Sequence, residues 1–336
     1  MKMTRRHVLQ TLAGSSLMSS VRAQGQPAST LSTSESAYPV KPIRYIVPVA
    51  AGGGSDMVGR TVCERWAKAL GQTIVVDNQG GGGGVIACQN TARATPDGYV
   101  LMQGYVATLG TSPATRRNLP YDPLRDFTPV GMIGSTPNVL VISPQVPAQS
   151  IAELVTYLRE TRVPLSYGSA GQGSLTHLTM ELFRPLIQSS MVHVPYRGIA
   201  PAFTDLMAGQ TQLMFPGLAA ALPHIRSGRV RPLAVTGLKR HPQLKDTPTL
   251  DEAGFKGFEA EQWYGVVGPA GLPGPVVKVL NETLAGVLGS PDLREKLSVE
   301  AIEPRTMTPD VFGHYIRSDL ERWTRLAKDR RIQLDS

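Results

Sequence analysis

Short apolar runs, glycine-rich loops and amphipathic helical segments alternate along this chain, and this alternation constrains its fold more than any other feature. Beginning near Tyr38, the segments are IRYIVPVA, MVGRTVCERWAKALG, TIVVDN, VIACQNTARA and YVLMQG, with glycine loops after the first and third. Short apolar runs are typical of buried strands, whereas apolar residues spaced three and four apart predict helices. The order predicts a β-α-β-α-β unit with a parallel sheet.

A second unit of the same kind follows residue 137. Its strand candidates are VLVISP, LSYGS, VHVPY, QLMFPG and PLAVTG, and its helix candidates are IAELVTYLRE, LTHLTMELFRPLI and PAFTDLMAG. A proline- and glycine-rich bridge, WYGVVGPAGLPGP, then leads to amphipathic helical patterns that end the chain. We predict an α/β protein with domain 1 at 38–137 and 265–336, domain 2 at 138–264, and a ligand cleft between them.

The first 23 residues have the pattern of a secretory signal peptide. Arg5 and Arg6 precede an apolar stretch that is too short and too interrupted by Ser and Gly to span a bilayer, which needs about 20 apolar residues. The arginine pair fits a twin-arginine signal as well as a Sec signal, and either predicts export to the periplasm. Residues 24–37 are rich in Ser, Thr, Pro and Gln and are expected to form a flexible leader.

The two cysteines, Cys63 and Cys88, fall on different predicted helices. An oxidising compartment would permit a disulfide, but two cysteines do not make a disulfide scaffold. Unpaired thiols are therefore favoured.

The stretch VPVAAGGGSDMVGR, from Val47 to Arg60, raises the question of a phosphate-binding loop. A P-loop needs a lysine followed by serine or threonine after its second glycine, to meet the phosphate and magnesium. Arg60 stands in the lysine position here, and the residues before Gly59 favour a helix rather than a phosphate cradle. A P-loop is not predicted.

The second glycine loop, VVDNQGGGGGVIACQ, satisfies G-x-G-x-x-A through Gly82, Gly84 and Ala87. A dinucleotide site also requires an acidic residue about 20 positions later to hold the ribose. Met102 and Gln103 occupy that region, so no nucleotide cofactor is predicted. Both glycine loops instead offer backbone N–H groups at a helix N-terminus, an arrangement that suits a carboxylate.

A third loop of this kind is LSYGSAGQGSLTHL, in which Ser174 is a predicted N-cap and His177 follows in the first helical turn. Ser174 and His177 also suggest an exported α/β hydrolase, which is the alternative function. A nucleophile elbow has the pattern G-x-S-x-G, and Tyr167 and Gln172 occupy its first glycine position at the two candidate serines. A receptor is therefore favoured over the hydrolase.

Metal and nucleic-acid binding find little support in the sequence. The histidines beyond the signal stand at 177, 193, 224, 241 and 314, without a close pair or a cysteine cluster, so no metal site is predicted. The basic residues are scattered and lack interleaved aromatic residues, so nucleic acid is not an expected partner.

From Tyr38 to about Lys328 the chain resembles the Bug, or TctC-type, solute-binding receptors of tripartite tricarboxylate transporters. The matching stretches are YPVKPIRYIVPVAAGGGSDMVGR, LGQTIVVDN, PDGYVLM, LPYDPLRDFTPV, YGSAGQGSLTHL, HVPYRGIAPAFTDLMAG, GRVRPLAVT, KRHPQLKDTPTLDEAGFKGFE and WYGVVGPAGLP. The resemblance implies a type II periplasmic-binding-protein fold that closes on an amino acid, a di- or tricarboxylate or an aromatic acid. It implies a monomeric receptor without enzymatic activity or a cofactor. Its partners would be membrane transporter components or a sensor protein.

In that family, the first loop of each domain clasps one ligand carboxylate through backbone groups and ordered water. The resemblance therefore implies ligand-binding residues in both loops, namely Ala51, Gly52, Gly53, Gly54, Ser55 and Asp56 in the first and Ser169, Ala170, Gly171, Gly173 and Ser174 in the second. His177, in the helix that follows, is a candidate for lining the far end of the cleft or is a packing residue of the first helical turn. Asp56 would orient water or a ligand ammonium group, or would only stabilise the helix start.

The far end of the cleft would select the acid. Candidates for lining it are Tyr105, Thr108, Tyr196, Phe215, Pro216, Trp263 and Tyr264, some of which would instead be packing residues. The chain departs from the family pattern at Ala51, where proline is usual, and at Gln79, where arginine is usual. The first change frees a backbone dihedral and the second removes a positive charge, and neither excludes carboxylate binding.

Overall fold

The computed structural model describes residues 38–49, 51–52, 54–80, 82–161 and 164–334. The predicted signal peptide, the predicted leader and Gly53 of the first glycine loop lie outside these residues. None of the helices in the described part is long and apolar enough to cross a membrane.

The strands, in chain order, are β1 (Ile43–Val47), β2 (Ile74–Asn78), β3 (Val100–Tyr105), β4 (Phe127–Pro137), β5 (Val139–Ile142), β6 (Ser166–Ser169), β7 (Val192–Pro195), β8 (Leu213–Met214), β9 (Arg231–Val235), β10 (Glu261–Pro269) and β11 (Glu303–Pro304).

The helices are α1 (Gly54–Leu70), α2 (Val85–Ala92), α3 (Ser112–Thr115), α4 (Ile151–Glu160), α5 (Leu175–Ile187), α6 (Ile199–Met207), α7 (Leu218–Arg226), α8 (Gly274–Leu288), α9 (Pro291–Val299) and α10 (Pro309–Asp329). Short helical turns cover Gly82–Gly84, Ala107–Thr111 and Pro242–Leu244.

The strands form two sheets. The first has the order β11-β4-β10-β3-β1-β2, and the second has the order β7-β6-β8-β5-β9. β1 pairs in parallel with β2 and β3, as the β-α-β-α-β pattern predicts, whereas β10 runs antiparallel to both β3 and β4. In the second sheet β6 is parallel to β7 and β8, and β5 is antiparallel to β8 and β9. The glycine loop that follows each of β1, β2 and β6 leads into a helix, so these loops lie at carboxyl ends of parallel strands.

The first half of the segment predicted as a proline- and glycine-rich bridge is wrong as a bridge, because residues 263–269 belong to the central strand β10. Gly265 and Gly268, in this half, serve close packing rather than a turn. A Cβ at Gly265 would lie 2.9 Å from the carbonyl oxygen of Gly131 and 2.8 Å from Cε1 of Phe312. The sequence pattern also does not predict β4 or α7. Pro223 inside α7 breaks the usual helical pattern.

Several helices begin where the local sequence predicts. Ser150 caps α4 by accepting a hydrogen bond from the Glu153 N–H (3.2 Å), while the Glu153 carboxylate accepts one from the Gln149 N–H (2.8 Å). Ser174 caps α5 as predicted, and Thr308 caps α10. Each cap satisfies a backbone donor that has no partner inside the helix.

Two chain crossings connect the sheets, and Thr236 joins them by hydrogen bonds. One crossing passes through Asn138, whose N–H donates to the Thr236 hydroxyl (2.9 Å), and the other passes through Ala260. The Thr236 hydroxyl in turn lies 2.5 Å from the Ala260 carbonyl oxygen, and the Ala260 N–H donates to the Thr236 carbonyl oxygen (3.2 Å). The predicted domain bounds fall near these crossings and stay a prediction.

Candidate functional site

The first glycine loop is held by the carboxylate of Asp56, which is 3% exposed. The Gly52 N–H donates to Oδ2 (2.9 Å), and Asn78 Nδ2 donates to Oδ1 (2.8 Å). Arg60 Nε lies 2.9 Å from Oδ1 and 3.1 Å from Oδ2. Both carboxylate oxygens are therefore engaged by the loop, by strand β2 and by the second turn of α1. The role of Asp56 toward a ligand stays a prediction.

The environment keeps Asp56 charged. Burial, the largest single influence, raises its pKa, but hydrogen bonds from the Gly52 N–H, Arg60 and Asn78, together with the Arg60 charge, outweigh burial and hold the pKa below its ordinary value. The guanidinium of Arg60 also donates to Asn78 Oδ1 (2.6 Å). The Asp56 carboxylate therefore stays charged and keeps its hydrogen bonds to the loop at neutral pH.

Ser55, in the first turn of α1, is held by a buried glutamine. Gln103 Nε2 donates to the Ser55 carbonyl oxygen (2.8 Å) and to the Ser55 hydroxyl oxygen (2.7 Å). Gln103 lies on β3 and is 0% exposed. The residue that stands where a dinucleotide site would require a carboxylate therefore supports the start of α1.

The second glycine loop packs against the first. Gly84 has a φ of +89°, and a Cβ there would lie 2.6 Å from Thr108 Cγ2 and 3.2 Å from the Pro48 carbonyl oxygen. The Gln79 N–H donates to the Val47 carbonyl oxygen (2.9 Å). This loop thus lies between the end of β1 and the turn Ala107–Thr111, and it supports the first loop.

The loop after β6 is braced by its own side chains. The Gly171 N–H donates to the Ser169 hydroxyl (3.1 Å), and the Ala170 N–H donates to the Thr176 hydroxyl (2.8 Å). The Ser174 hydroxyl donates to the Gly171 carbonyl oxygen (2.6 Å). These bonds give the loop a defined shape, and they occupy several of the amides that the sequence offered for a ligand.

His177 accepts a hydrogen bond from the Gly173 N–H at Nδ1 (3.1 Å). Its ring stacks on that of His193, with centroids 4.0 Å apart and planes 5° apart, and the Tyr167 ring also stacks on His193, with centroids 4.8 Å apart. His193 Nε2 lies 2.7 Å from the Ser169 hydroxyl. The buried imidazole of His177 and the half-buried imidazole of His193 therefore contact the loop at two separate points.

Burial lowers the pKa of both imidazoles. Burial is the largest cause of the shift in each ring, and His177 lowers the pKa of His193 further, to about 4.

Nearby, the Tyr167 hydroxyl and Arg184 Nη1 both donate to Glu181 Oε1 at 2.6 Å. Burial raises the pKa of Glu181, but these two hydrogen bonds and the Arg184 charge outweigh it and lower the pKa.

The loop after β6 also approaches elements of the first sheet. A Cβ at Gly173 would lie 3.2 Å from the Thr115 hydroxyl, at the end of α3, and 2.5 Å from a methyl carbon of Leu334. The Leu334 N–H donates to the Thr115 carbonyl oxygen (2.7 Å). The turn and short helix from Ala107 to Thr115 thus contact both the second glycine loop and the loop after β6.

The aromatic residues predicted to line the far end of the cleft lie in different places. Tyr105 is half-buried at the end of β3, where the Thr108 hydroxyl donates to its carbonyl oxygen (3.1 Å). Tyr196 follows β7, and its hydroxyl donates to Asp205 (2.6 Å). Its N–H donates to the Ser169 carbonyl oxygen (3.1 Å), which places it beside the loop after β6.

The other four candidates are buried in packed regions. Phe215 and Trp263 are both 0% exposed. Phe215 packs against Phe183 and Phe258. Trp263 packs against Phe312, and its indole N–H donates to Asp319 (2.8 Å). Pro216 accepts a backbone hydrogen bond at a sheet crossing, and Tyr264 is paired opposite Tyr105. A ligand would reach these side chains only if the packing opened, and their predicted binding role stays a prediction.

The two departures from the family pattern have different surroundings. Ala51 is exposed. Gln79 donates to Asp77 (2.8 Å) and accepts from Asn90 (2.8 Å), so its amide is engaged at the base of the second glycine loop.

Sequence reasoning missed the residues that support the loops. Asn78 is a polar residue at the carboxyl end of a strand, and Gln103 is a polar residue inside an apolar strand, so both carried a signal. His193 carried none, because its partners His177 and Ser169 are distant in sequence.

Cys63 and Cys88 are free and buried, as favoured from the sequence. No group of three metal-binding side chains occurs among the residues that the structure describes.

The family model described as the tripartite tricarboxylate transporter family receptor, TctC, matches residues 58–332. A protein from the tcbD-tcbE intergenic region of Pseudomonas sp. strain P51 is 36% identical over 332 residues, which cover 98% of this chain and 95% of that protein. Protein BugT of Bordetella pertussis is 32% identical over 293 residues, which cover 87% of this chain and 90% of BugT.

Solved structures are similar over nearly their full length. Rpa4515 of R. palustris, solved with adipate, is 36% identical with a TM-score of 0.78, covering 87% of this chain and 97% of that one. Periplasmic binding protein BugD is 34% identical with a TM-score of 0.76, covering 89% and 100%. MatC from Rhodopseudomonas palustris, with bound malate, is 32% identical with a TM-score of 0.74, covering 86% and 99%.

Proposed function

Because this chain belongs to the TctC family of tripartite tricarboxylate transporter receptors and has their two-domain periplasmic-binding-protein fold, we propose that it captures a small carboxylate between the loops that open α1 and α5. The observation that carries the proposal is that each loop ends at a helix N-terminus and is braced by side chains from other elements, Asp56 and Gln103 in one and the two stacked histidines in the other.

The chemistry of these loops suits an anion. The first backbone N–H groups of a helix have no partner inside the helix, and the helix dipole adds roughly half a positive charge there. At α1 these groups belong to Gly54 and Ser55, and at α5 they belong to Leu175 and Thr176. Gln103 donates to the Ser55 oxygen, which leaves the Ser55 hydroxyl hydrogen to donate to a ligand. A braced loop also loses less freedom on binding, which favours affinity.

A small dicarboxylate is the ligand class that we favour. The similar receptors Rpa4515 and MatC were solved with adipate and malate, both of which are dicarboxylates. One carboxylate would bind to the two loops, and the rest of the molecule would extend toward Tyr105 and Tyr196. Hinge closure at the Asn138 and Ala260 crossings would then be stabilised by the ligand that bridges the two sheets.

The hydrolase alternative lacks the contact it needs. The His177 ring accepts from the Gly173 N–H and stacks on His193, whereas the Ser174 hydroxyl donates to the Gly171 carbonyl oxygen. A nucleophilic serine requires a base within hydrogen-bond reach, and the Ser174 hydroxyl contacts Gly171, Thr176 and the His177 backbone but not the His177 ring. His193 does reach the Ser169 hydroxyl (2.7 Å), but that hydroxyl also holds the Gly171 backbone inside the loop. We therefore propose a receptor without enzymatic activity or a cofactor.

The similar structures are periplasmic proteins, so the chain functions outside the cytoplasm. We propose that it is a periplasmic monomer exported by a Sec or twin-arginine signal. In this proposal, membrane components of a tripartite transporter or a sensor protein recognise the closed, liganded form.

Calorimetry and thermal unfolding of the purified mature protein test the proposal. The probes are adipate, malate and citrate, with dimethyl adipate as the matched uncharged control and NAD as the nucleotide control. We expect a carboxylate to bind and stabilise the fold, by about 2.7 kcal/mol at 100 times its Kd, because it binds only the native state. Dimethyl adipate should leave the unfolding temperature unchanged. Stabilisation by NAD alone would overturn the proposal.

A further inference from the structure

We infer that His193 and His177 are positioning residues of the proposed carboxylate site, and that they hold the loop from Ser169 to Ser174 in its binding conformation while the His177 imidazole is neutral. This inference rests on the proposed function, because the loop concerned is one of the two that would bind the ligand. Neither imidazole needs to touch the ligand to have this effect.

His193 fixes the start of the loop through Ser169. Its Nε2 lies 2.7 Å from the Ser169 hydroxyl, which also lies 3.2 Å from the Gly171 carbonyl oxygen and accepts from the Gly171 N–H at 3.1 Å. In the tautomer of His193 that carries its proton on Nε2, all these groups are satisfied. His193 Nε2–H donates to Ser169, and the Ser169 hydroxyl donates to the Gly171 carbonyl oxygen. His193 thereby orients the hydroxyl that holds the Gly171 amide.

His177 fixes the end of the same loop. The Gly173 N–H, which can only donate, lies 3.1 Å from Nδ1 of His177. Nδ1 must therefore be unprotonated, and the single proton of the neutral ring lies on Nε2. A second proton could enter only at Nδ1, where it would break the bond to Gly173.

The surroundings disfavour a charge on either ring. The two rings are 4.0 Å apart and parallel, so a proton on one ring is repelled by a proton on the other. The charged groups that act on the pair among the described residues are Glu181 and Arg184, both on α5. They form an ion pair at 2.6 Å, so the glutamate charge is largely compensated. Tyr167, whose ring also stacks on His193, donates its hydroxyl hydrogen to Glu181 and is not charged.

Protonation and loop geometry are consequently linked. Burial lowers the pKa of both rings, that of His193 to about 4, so the network is neutral and intact at pH 7. A second proton on His177 enters at Nδ1, where it releases the Gly173 amide. A ligand that requires the intact loop then binds more weakly.

The Gly173 amide gives a test that needs no ligand. Its ¹H–¹⁵N signal is followed from pH 7.5 to pH 4 in the wild-type protein and in His177→Asn, because Asn Oδ1 takes the place of Nδ1 and accepts the same hydrogen bond without titrating. We expect the signal to shift as the histidines titrate in the wild type and to stay in place in His177→Asn. An immobile wild-type signal, or equal shifts in both proteins, would overturn the inference.

Binding gives the second test, with adipate and malate measured by calorimetry at pH 7.5 and pH 4.5. The comparison protein carries His177→Asn and His193→Gln, since Gln Nε2 takes the place of the histidine Nε2 and donates to Ser169. Ionisation of the ligand affects both proteins equally. We expect the wild-type Kd to rise more than that of the double variant, because only the wild type loses the bond from the Gly173 N–H when His177 takes up a proton. Equal rises would overturn the inference and leave the proposed function intact.

Two further variants separate positioning from general packing. His193→Phe preserves a stacked ring but cannot donate to Ser169, so its Kd at pH 7.5 should be at least about threefold weaker, whereas His193→Gln restores the wild-type Kd. His314→Gln, at an exposed position on α10, is the control and should change nothing. Equal affinities of the Phe and Gln variants would contradict a positioning role. If the wild type binds neither acid at pH 7.5, the proposed ligand class fails, and the Gly173 signal still decides this inference.

Discussion

The side-chain amide of Gln103 donates to Ser55 twice, with Nε2 2.8 Å from the carbonyl oxygen and 2.7 Å from the hydroxyl oxygen. This contact connects the central part of the first sheet to the first turn of α1. It ties the start of the helix, with its free backbone amides, to the strand that carries Gln103.

Replacement of this glutamine should therefore weaken the proposed site. Gln103→Leu leaves two Ser55 oxygens without their donor, and we expect a loss of about 1–3 kcal/mol in the free energy of unfolding and a weaker Kd for adipate or malate. Urea denaturation and calorimetry measure the two effects. Gln149→Leu, at an exposed position, is the matched control. Unchanged affinity in Gln103→Leu would remove this contact from the site.

A pair of variants can distinguish a role of Asp56 in the ligand site from simple stabilisation of the helix start. Asp56→Asn weakens the bonds to the Gly52 N–H and Arg60, whereas Asp310→Asn removes an exposed acid from the first turn of α10. Both variants lose a favourable dipole interaction of about 0.3–1 kcal/mol. Only Asp56→Asn should also weaken carboxylate binding, as calorimetry at pH 7.5 would measure. Equal binding by the two variants would leave Asp56 with helix stabilisation alone.

The pH dependence of stability follows from the buried imidazoles. The pKa of His193 in the folded protein is about 4, below its ordinary value of 6.5, and that of His177 is also lowered. The unfolded chain therefore binds more protons than the folded protein in this range, so stability falls as the pH decreases from about 6.5 toward 4. We expect a loss of about 1–3 kcal/mol. Urea denaturation at pH 7.5, 6 and 5 measures it, and the His177→Asn, His193→Gln double variant should show a flatter profile.

Gly84, in the second glycine loop, and Gly71, which follows α1, form a matched pair of positions for glycine variants. Gly84 and Gly71 both have positive φ, +89° and +65°, but a Cβ at Gly84 would lie 2.6 Å from Thr108, whereas one at Gly71 meets nothing within 4 Å. Both alanine variants should lose about 1 kcal/mol for the backbone conformation. Gly84→Ala should lose about 1–3 kcal/mol more through overpacking, measured by urea denaturation. Equal losses would show that the packing of the loop against Thr108 is dispensable.

Thr236 offers a test of the hinge. Thr236→Val keeps the shape of the side chain but removes the hydroxyl that lies between Asn138 and Ala260. We expect a loss of about 1–3 kcal/mol in stability, because buried backbone groups lose a partner. The change in radius of gyration on adding adipate should also differ from that of the wild type. Thr204→Val, exposed on α6, should preserve both quantities.

Local pattern was sufficient for most elements and for the position of the loops. Strands β1 to β3, helices α1, α2 and α5 and the Ser174 cap follow from apolar spacing and capping residues, which depend on neighbours in the sequence. The same pattern was misleading for β10, because glycines that usually mark a turn here allow close packing of Gly265 against Phe312. Whether a glycine is used for a turn or for close packing depends on which residues the tertiary structure places beside it.

The sequence by itself determined the α/β class, the family and the three glycine loops at helix starts, since these depend on residue order and on motifs. Only the tertiary structure decided how the loops are held. Gln103 meets Ser55 across 48 residues, and His193 meets Ser169 across 24. It also placed Phe215 and Trp263 in packed cores, where aromatic residues gain most from burial. Such contacts form when separate strands and helices pack together, and no local pattern records which side chains then meet.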